Sequence, residues 1–333
     1  MKVESIKIGY FVGLEYYDVS DAIAQAIWAE KCGFDSLWLG DHFHPWHPSG
    51  NCSMAWVVLP VIAERTKTIS PIATNVTCPC YRYNPAVVAQ AFSTLDRMYP
   101  GRIALGVGSG EAMNEIPTTG MWPGPKERLE RLIEAIKIIR MLWESDKPIT
   151  FKGKYYQLRK AKLYARPRRK IPLYVAGSGK RSSELAGIYG DHWITTSMTP
   201  ELLKDVIVPS FERGAKRAGK DPKAMERVLV LDFSIDKDIK RAVESIRPFA
   251  ASLIPAAFKY GIYDPEELAE NGSVVGFEAM KRFWIVTDSV EEMIDRLEEY
   301  VKAGINHFAL FNLSPDVKET TRLVGEKVIP CFK

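Results

Sequence analysis

Cysteine and histidine are both scarce, at five each in 333 residues. The cysteine number is odd and no CxxC pair occurs, so neither a disulfide framework nor a zinc knuckle is indicated. Cys78 and Cys80 flank Pro79, too close for the usual zinc pair, and read as packing thiols. No apolar run approaches the ~18 residues of a membrane span. The opening Met1–Lys7 lacks the apolar core of a signal peptide, so a soluble cytoplasmic protein is expected. Charge of one sign is missing too: 45 Lys and Arg face 41 Asp and Glu, a net charge of +4. The single basic knot, Arg166-Pro-Arg-Arg-Lys170, reads as a solvated loop, and no nucleic-acid-binding face is expected.

What is present is a large apolar fraction, 46%, and a repeated junction. Gly33 ends a helical pattern and Phe34–Leu39 follows as a strand. The same helix–Gly–strand grammar returns in Met98-Tyr-Pro-Gly-Arg-Ile-Ala-Leu105, in Ala186-Gly-Ile-Tyr-Gly-Asp-His-Trp-Ile-Thr195 and in Ala303-Gly-Ile-Asn-His-Phe-Ala-Leu-Phe311. Strands are expected at Ile6–Val12, Phe34–Leu39, Ile69–Val76, Arg102–Val107, Leu173–Ala176, Trp193–Thr196, Val228–Phe233 and Ala309–Asn312, with helices between them. The intervals suit about eight βα units, hence a single (β/α)₈ barrel spanning 1–333, with a Rossmann-like sheet as the alternative. Two stretches interrupt the rhythm: an excursion of short strands near 147–166, and a long insertion near 252–280 whose Leu253, Phe258, Lys259 and Tyr260 suit a lid.

Functional side chains of such a barrel belong just past the C-terminal ends of its strands. Ser36-Leu-Trp-Leu-Gly-Asp-His-Phe-His-Pro-Trp46 has that form, an apolar strand running into Asp41, His42, His44 and Trp46. Gly106-Val-Gly-Ser-Gly110 also follows a strand, but its GxGxG spacing is not the dinucleotide fingerprint. Glu111 beside it suits acid/base work, or alternatively a helix first turn where a carboxylate favours the dipole. Ala176-Gly-Ser-Gly-Lys-Arg-Ser182 opens a helix, where backbone N–H groups with Lys180 and Arg181 can take a phosphate; a plain βα turn is equally compatible. His42-Phe-His44 carries a metal-ligand spacing, and zinc hydrolysis is the rival enzyme class. It needs further ligands at strand ends, whereas His192 and His307 fall at strand starts, so no metal is assigned.

With these motifs in place, the chain resembles the luciferase-like (β/α)₈ superfamily, and within it the coenzyme F420-dependent oxidoreductases. The likeness is to the secondary alcohol dehydrogenases of that group and extends to its glucose-6-phosphate dehydrogenases. Asp41-His-Phe-His-Pro-Trp46 and Gly110-Glu-Ala-Met-Asn-Glu115 carry it most specifically, with Arg82-Tyr-Asn-Pro85 and Phe258-Lys-Tyr260 in support. The resemblance implies His42, Glu111 and Trp46 around the reacting carbon. It implies cofactor contacts at Asp41, Asn75, Val76, Thr77, Cys78, Ser109, Gly110 and Asn114, with a cis peptide at Asn75-Val76. Gly177, Ser178, Gly179 and Arg181 would take the cofactor's phosphate. Trp46, Thr196, Lys259 and Arg282 are the implied substrate contacts. Of three cations used by the sugar-phosphate enzymes, Lys259 matches one, Thr196-Ser-Met-Thr199 lacks the second, and Phe283 stands at the third with Arg282 adjacent. A small uncharged secondary alcohol or ketone is therefore expected, with a sugar phosphate as the alternative. A homodimer is implied by the family. An FMN-dependent monooxygenase and a non-catalytic F420 carrier share the fold.

Overall fold

The computed structural model describes residues 6–333, so Met1–Ser5 of the opening segment lie outside it. Strands run β1 (Lys7–Val12), β2 (Leu37–Leu39), β3 (Ile72–Thr74), β4 (Ile103–Val107), β5 (Ile149–Lys152), β6 (Gln157–Ala161), β7 (Leu173–Ala176), β8 (His192–Thr195), β9 (Arg227–Ile235), β10 (Ile285–Thr287) and β11 (His307–Asn312). All pairings in the main sheet are parallel, in the order β1-β2-β3-β4-β7-β8-β9-β11, and β11 pairs back onto β1. This is a closed eight-stranded (β/α)₈ barrel, and the open Rossmann-like sheet is excluded. β5 and β6 form the expected excursion of short strands, and they pair antiparallel.

Side chains alternate about the barrel wall. Ile8, Tyr10, Leu37, Leu39, Ile103, Leu105, Leu229 and Leu231 face the helices, while Phe11, Trp38, Ala73, Ala104, Val228 and Ala309 fill the interior. Gly9 is required because the Trp38 indole crosses beside it: a Cβ there would lie 2.8 Å from Trp38 Nε1. Asp18 caps the first helix, Val19–Lys31, accepting from the Ser20 N–H.

Three of the four repeated junctions use glycine as a left-handed turn: Gly33, Gly101 and Gly304 all have positive φ. The fourth differs. Gly187 lies inside helix Lys180–Tyr189, where a Cβ would meet Phe211 O at 2.3 Å, and Gly214 of helix Val208–Arg217 would meet Glu184 O at 2.0 Å. These glycines let two helix backbones touch.

β10 lies outside the expected strands. It pairs only with the upper end of β9, Ile285 opposite Phe233. The expected lid is a packed helical layer: helices Pro255–Tyr260, Pro265–Ser273 and Phe277–Phe283 bury Ala257, Leu268 and Met280 in the same cluster as the barrel interior.

At the N-terminal end the interior closes on polar groups. Glu226 accepts from Tyr174 Oη at 2.7 Å and Lys7 Nζ at 2.6 Å, and lies 2.8 Å from His307 Nδ1. His307 Nε2 is 2.7 Å from Ser36 Oγ, and His192 Nδ1 accepts from the Glu226 N–H. Both histidines excluded above as metal ligands are thus structural floor groups. Burial works to raise the Glu226 carboxyl, but His307 and Lys7 outweigh it and hold the group well below the usual carboxylate range. A depressed folded pKa contributes stability that is complete above the unfolded value, ~4.3, and lost as pH falls further. Glu226→Gln is expected to cost about 2–4 kcal/mol at pH 7 by urea denaturation, with the gap to wild type narrowing below about pH 4.

Candidate active site

At the opposite end, the loop after β2 carries Asp41, His42 and Trp46. Asp41 is 2% exposed, and a buried carboxylate requires partners. It accepts from Thr77 Oγ1 at 2.6 Å, Tyr83 Oη at 3.2 Å and Arg82 Nη2 at 3.2 Å. Arg82 Nε reaches toward Glu115 Oε1 at 3.8 Å, and the Arg82 backbone N–H donates to Glu115 Oε2. Burial opposes the charge on Arg82, yet Asp41, Tyr83 and Glu115 outweigh it and keep the guanidinium above its ordinary value. These contacts bind the loops after β2, β3 and β4 into one unit.

On that unit, His42 Nδ1 lies 3.7 Å from Glu111 Oε2, and the Trp46 ring centroid is 6.3 Å from that of His42. The three expected catalytic groups are therefore together. Asn114, which is buried, joins them: its Nδ2 donates to Glu111 Oε2 at 3.3 Å and to His42 Nδ1 at 3.4 Å, while its Oδ1 accepts from the Phe43 N–H at 2.7 Å. Glu111 occupies the N-cap position of helix Ala112–Thr119 but makes no capping bond, so its carboxylate is left for the site. Burial, then Arg82, lower His42 to about 3, and the imidazole is neutral at physiological pH. Burial and then the Glu115 carboxylate push Glu111 up to about 7. Trp46 is 6% exposed and packs on Phe249 and Phe258, at centroid distances of 6.1 and 5.6 Å.

The expected cofactor positions fall in two groups. Asn75-Val76 is joined by the expected cis peptide, and Val76 packs over β4. A Cβ at Gly106 would lie 3.1 Å from Val76 Cγ1 and one at Gly108 2.6 Å from Val76 Cγ2. Thr77 and Cys78 are buried, Ser109 is half-buried, and Gly110 takes φ +91, with Cys78 Sγ 2.9 Å from where a Cβ would stand. After the adjoining strand β7, Ser178, Gly179 and Arg181 are exposed at the start of helix Lys180–Tyr189. Gly177 is fixed beneath them, its carbonyl accepting from Trp193 Nε1 and Ser183 Oγ.

Substrate candidates are less concentrated. Thr196 is exposed, with Oγ1 3.5 Å from Ser178 Oγ. Lys259 is exposed beside Tyr260, next in sequence to the Phe258 that touches Trp46. Arg282 has its own surroundings, away from any recorded contact with the trio. It lies over Phe283 and, with Arg296, lowers the Glu201 carboxyl, whose own backbone and Thr199 hydrogen bonds weigh more. Among the described residues no group of three His, Cys, Asp or Glu side chains could hold a metal ion, and no helix is long and apolar enough to cross a membrane.

Sequence reasoning overlooked two buried carboxyls at this end. Glu15, after β1, is 2% exposed, with Oε2 unpartnered, and burial raises it to about 8. Asp232 interrupts the apolar run of β9, and burial raises it to about 7. The available signal was position alone: one follows a strand directly, and the other is a charge inside one.

This combination of barrel and mouth defines the class. The family model for luciferase-like monooxygenases matches residues 7–307, and the chain belongs to that family. More particular likenesses lie within it. The chain is 48% identical to an F420-dependent secondary alcohol dehydrogenase solved in complex with an F420-acetone adduct, covering 99% of both chains with a TM-score of 0.96. It is 38% identical to the F420-dependent glucose-6-phosphate dehydrogenase of Amycolatopsis mediterranei over 98% of each chain. With that of Mycolicibacterium smegmatis it shares 39% over 98% and 97%. The tetrahydromethanopterin reductase of Methanopyrus kandleri, at 24% identity and a TM-score of 0.82, shares the fold.

Asn114→Ala leaves the Phe43 N–H without its partner and unties Glu111 from His42. It is expected to lower stability by about 1–3 kcal/mol in urea denaturation; an unchanged midpoint would remove Asn114 from the frame of the site.

Proposed function

We propose that this protein is a coenzyme F420-dependent oxidoreductase acting on the CH–OH group of small, uncharged secondary alcohols, or on the corresponding ketones. The observation that carries the reading is the His42 imidazole 3.7 Å from the Glu111 carboxylate, beside a buried indole at the barrel mouth. The residues present fit the cofactor. Asn75 Nδ2 is buried without a partner, and the amides and cations at the start of helix Lys180–Tyr189 suit an anionic tail. When bound, the deazaflavin accepts or returns a hydride at C5, and its lack of flavin N5 chemistry disfavours oxygen activation.

The chain's own groups handle the proton. His42, uncharged and with Nδ1 left unprotonated by the hydrogen bond from Asn114, takes the hydroxyl proton at Nδ1 during alcohol oxidation and passes it to Glu111, whose Oε2 lies 3.7 Å from that nitrogen. Trp46, Phe249 and Phe258 wall off water. A sugar phosphate is the second reading, favoured by the names of the curated relatives. Against it stand the lack of a cation in Thr196-Ser-Met-Thr199 and the place of Arg282 beside Arg296 and Glu201.

His42→Ala and Glu111→Ala are each expected to slow F420 reduction by 2-propanol at least about 10²-fold while F420 still binds, followed by its absorbance. Oxidation requires Glu111 ionised, so kcat/KM should rise with pH through about 7 and lose that inflection in Glu111→Gln. Unchanged turnover in either alanine variant would reject the assignment, and saturation by glucose 6-phosphate but not 2-propanol would move the substrate to the second reading.

A homodimer belongs to the same proposal. Met54 at the cap of helix Ala55–Arg65 and Val57 and Val61 on it, with Val87 and Met98 on helix Pro85–Met98, expose apolar side chains on neighbouring helices. Light scattering should give twice the 37.6 kDa chain mass, falling to one chain in Val57→Glu.

A further inference from the structure

β9 turns its even-numbered residues inward: Val228 and Val230 sit in the interior cluster, while Leu229, Leu231 and Phe233 face the helices. Asp232 continues the inward series at the mouth, in register with Phe311 of β11. Phe311 packs on Phe249 at 5.1 Å, and Phe249 packs on Trp46, so one aromatic wall connects Asp232 to the trio. On its other side stands Trp284, just ahead of β10. Its buried indole N–H is directed at the Asp232 carboxyl and works against the effect of burial there. Asp232 itself is 7% exposed, and both it and Glu111 bear electrostatically on Glu15. Three carboxyls and one indole N–H therefore gather beside this aromatic wall.

We propose that Asp232, backed by Trp284, is a specificity-determining residue of the substrate pocket, selecting a small alcohol that carries a second hydrogen-bond donor, hydroxyl or ammonium, and rejecting an anionic one. The proposal rests on the alcohol reading above and names its substrate class. A buried carboxyl facing a pocket is costly unless the ligand supplies a donor. An added phosphate would meet Asp232, Glu111 and Glu15 together, a repulsive element against the sugar phosphate. Near neutral pH, a group raised to about 7 by burial both donates and accepts, which suits a diol as well as an amine.

The test uses the F420-loaded enzyme with 2-propanol, 1,2-propanediol, 1-amino-2-propanol and glucose 6-phosphate. Initial rates are measured beside saturation-transfer NMR affinities for the same four compounds, on wild type, Asp232→Asn and Asp232→Leu. Wild type should prefer the diol and the amino alcohol to 2-propanol by at least about tenfold. Asp232→Leu should erase that preference while leaving 2-propanol within about threefold, and the isosteric Asp232→Asn should keep the diol and lose the amine. Equal constants for 2-propanol and both donor-bearing alcohols, or a preference surviving in Asp232→Leu, overturns the proposal. If none of the compounds reduces F420 yet the NMR ranking holds and follows Asp232, the alcohol reading fails and the pocket assignment stands. If 2-propanol is oxidised and the ranking is flat, the reverse is true.

Discussion

One guanidinium fixes the working end of this barrel. Arg82 lies between the buried carboxylates of Asp41 and Glu115, and those residues belong to the loops after β2 and β4. None of the three could be buried alone without a cost of several kcal/mol. Together they lock three loops whose strands are adjacent in the sheet, and the catalytic candidates ride on that lock. His42 is next to Asp41, Glu111 opens the helix that contains Glu115, and Asn114 ties the two. The same guanidinium, acting through space, helps keep His42 uncharged. Packing, charge and proton chemistry at the mouth therefore have a common origin.

The barrel separates its polar work by height. At the floor, Glu226 gathers Lys7, Tyr174 and His307, and the interior above it is filled by Trp38 and small residues. At the mouth, Glu15, Glu111 and Asp232 have few partners, Glu15 Oε2 none, and each is held in its protonated form more readily than an ordinary carboxyl. Satisfied polar groups make a support, while unsatisfied ones mark where a ligand completes the set. Luciferase-like barrels host flavin and deazaflavin chemistry on one frame, so function here is argued from these particular side chains.

Much of this was legible in the sequence because the governing physics is local. Gly33, Gly101 and Gly304 announce helix-to-strand turns through a conformation that other residues resist. Asp41, His42 and Trp46 are contiguous after a strand, and Glu111 follows another, so strand ends sufficed to find them. Three features escaped because their cause is long-range. Gly187 looked like one more turn until the neighbouring helix backbone supplied its reason. Glu15 and Asp232 belong to no motif and acquire meaning only when β1 and β9 close into one rim. The helical layer read as a long insertion suited to a lid, since its apolar residues match the barrel interior rather than a period of their own.

The close approach at Gly187 and Gly214 reaches further than two helices in contact. Helix Lys180–Tyr189 begins at the glycine loop after β7, and its body is pressed backbone to backbone against Val208–Arg217. A loop whose carbonyl is clamped by Trp193 and whose helix cannot slide has its amides aimed before any anion arrives. In the proposed function, little ordering entropy would be left to lose on capture, and the affinity for an anionic tail would be set by chemistry at the loop rather than by loop closure.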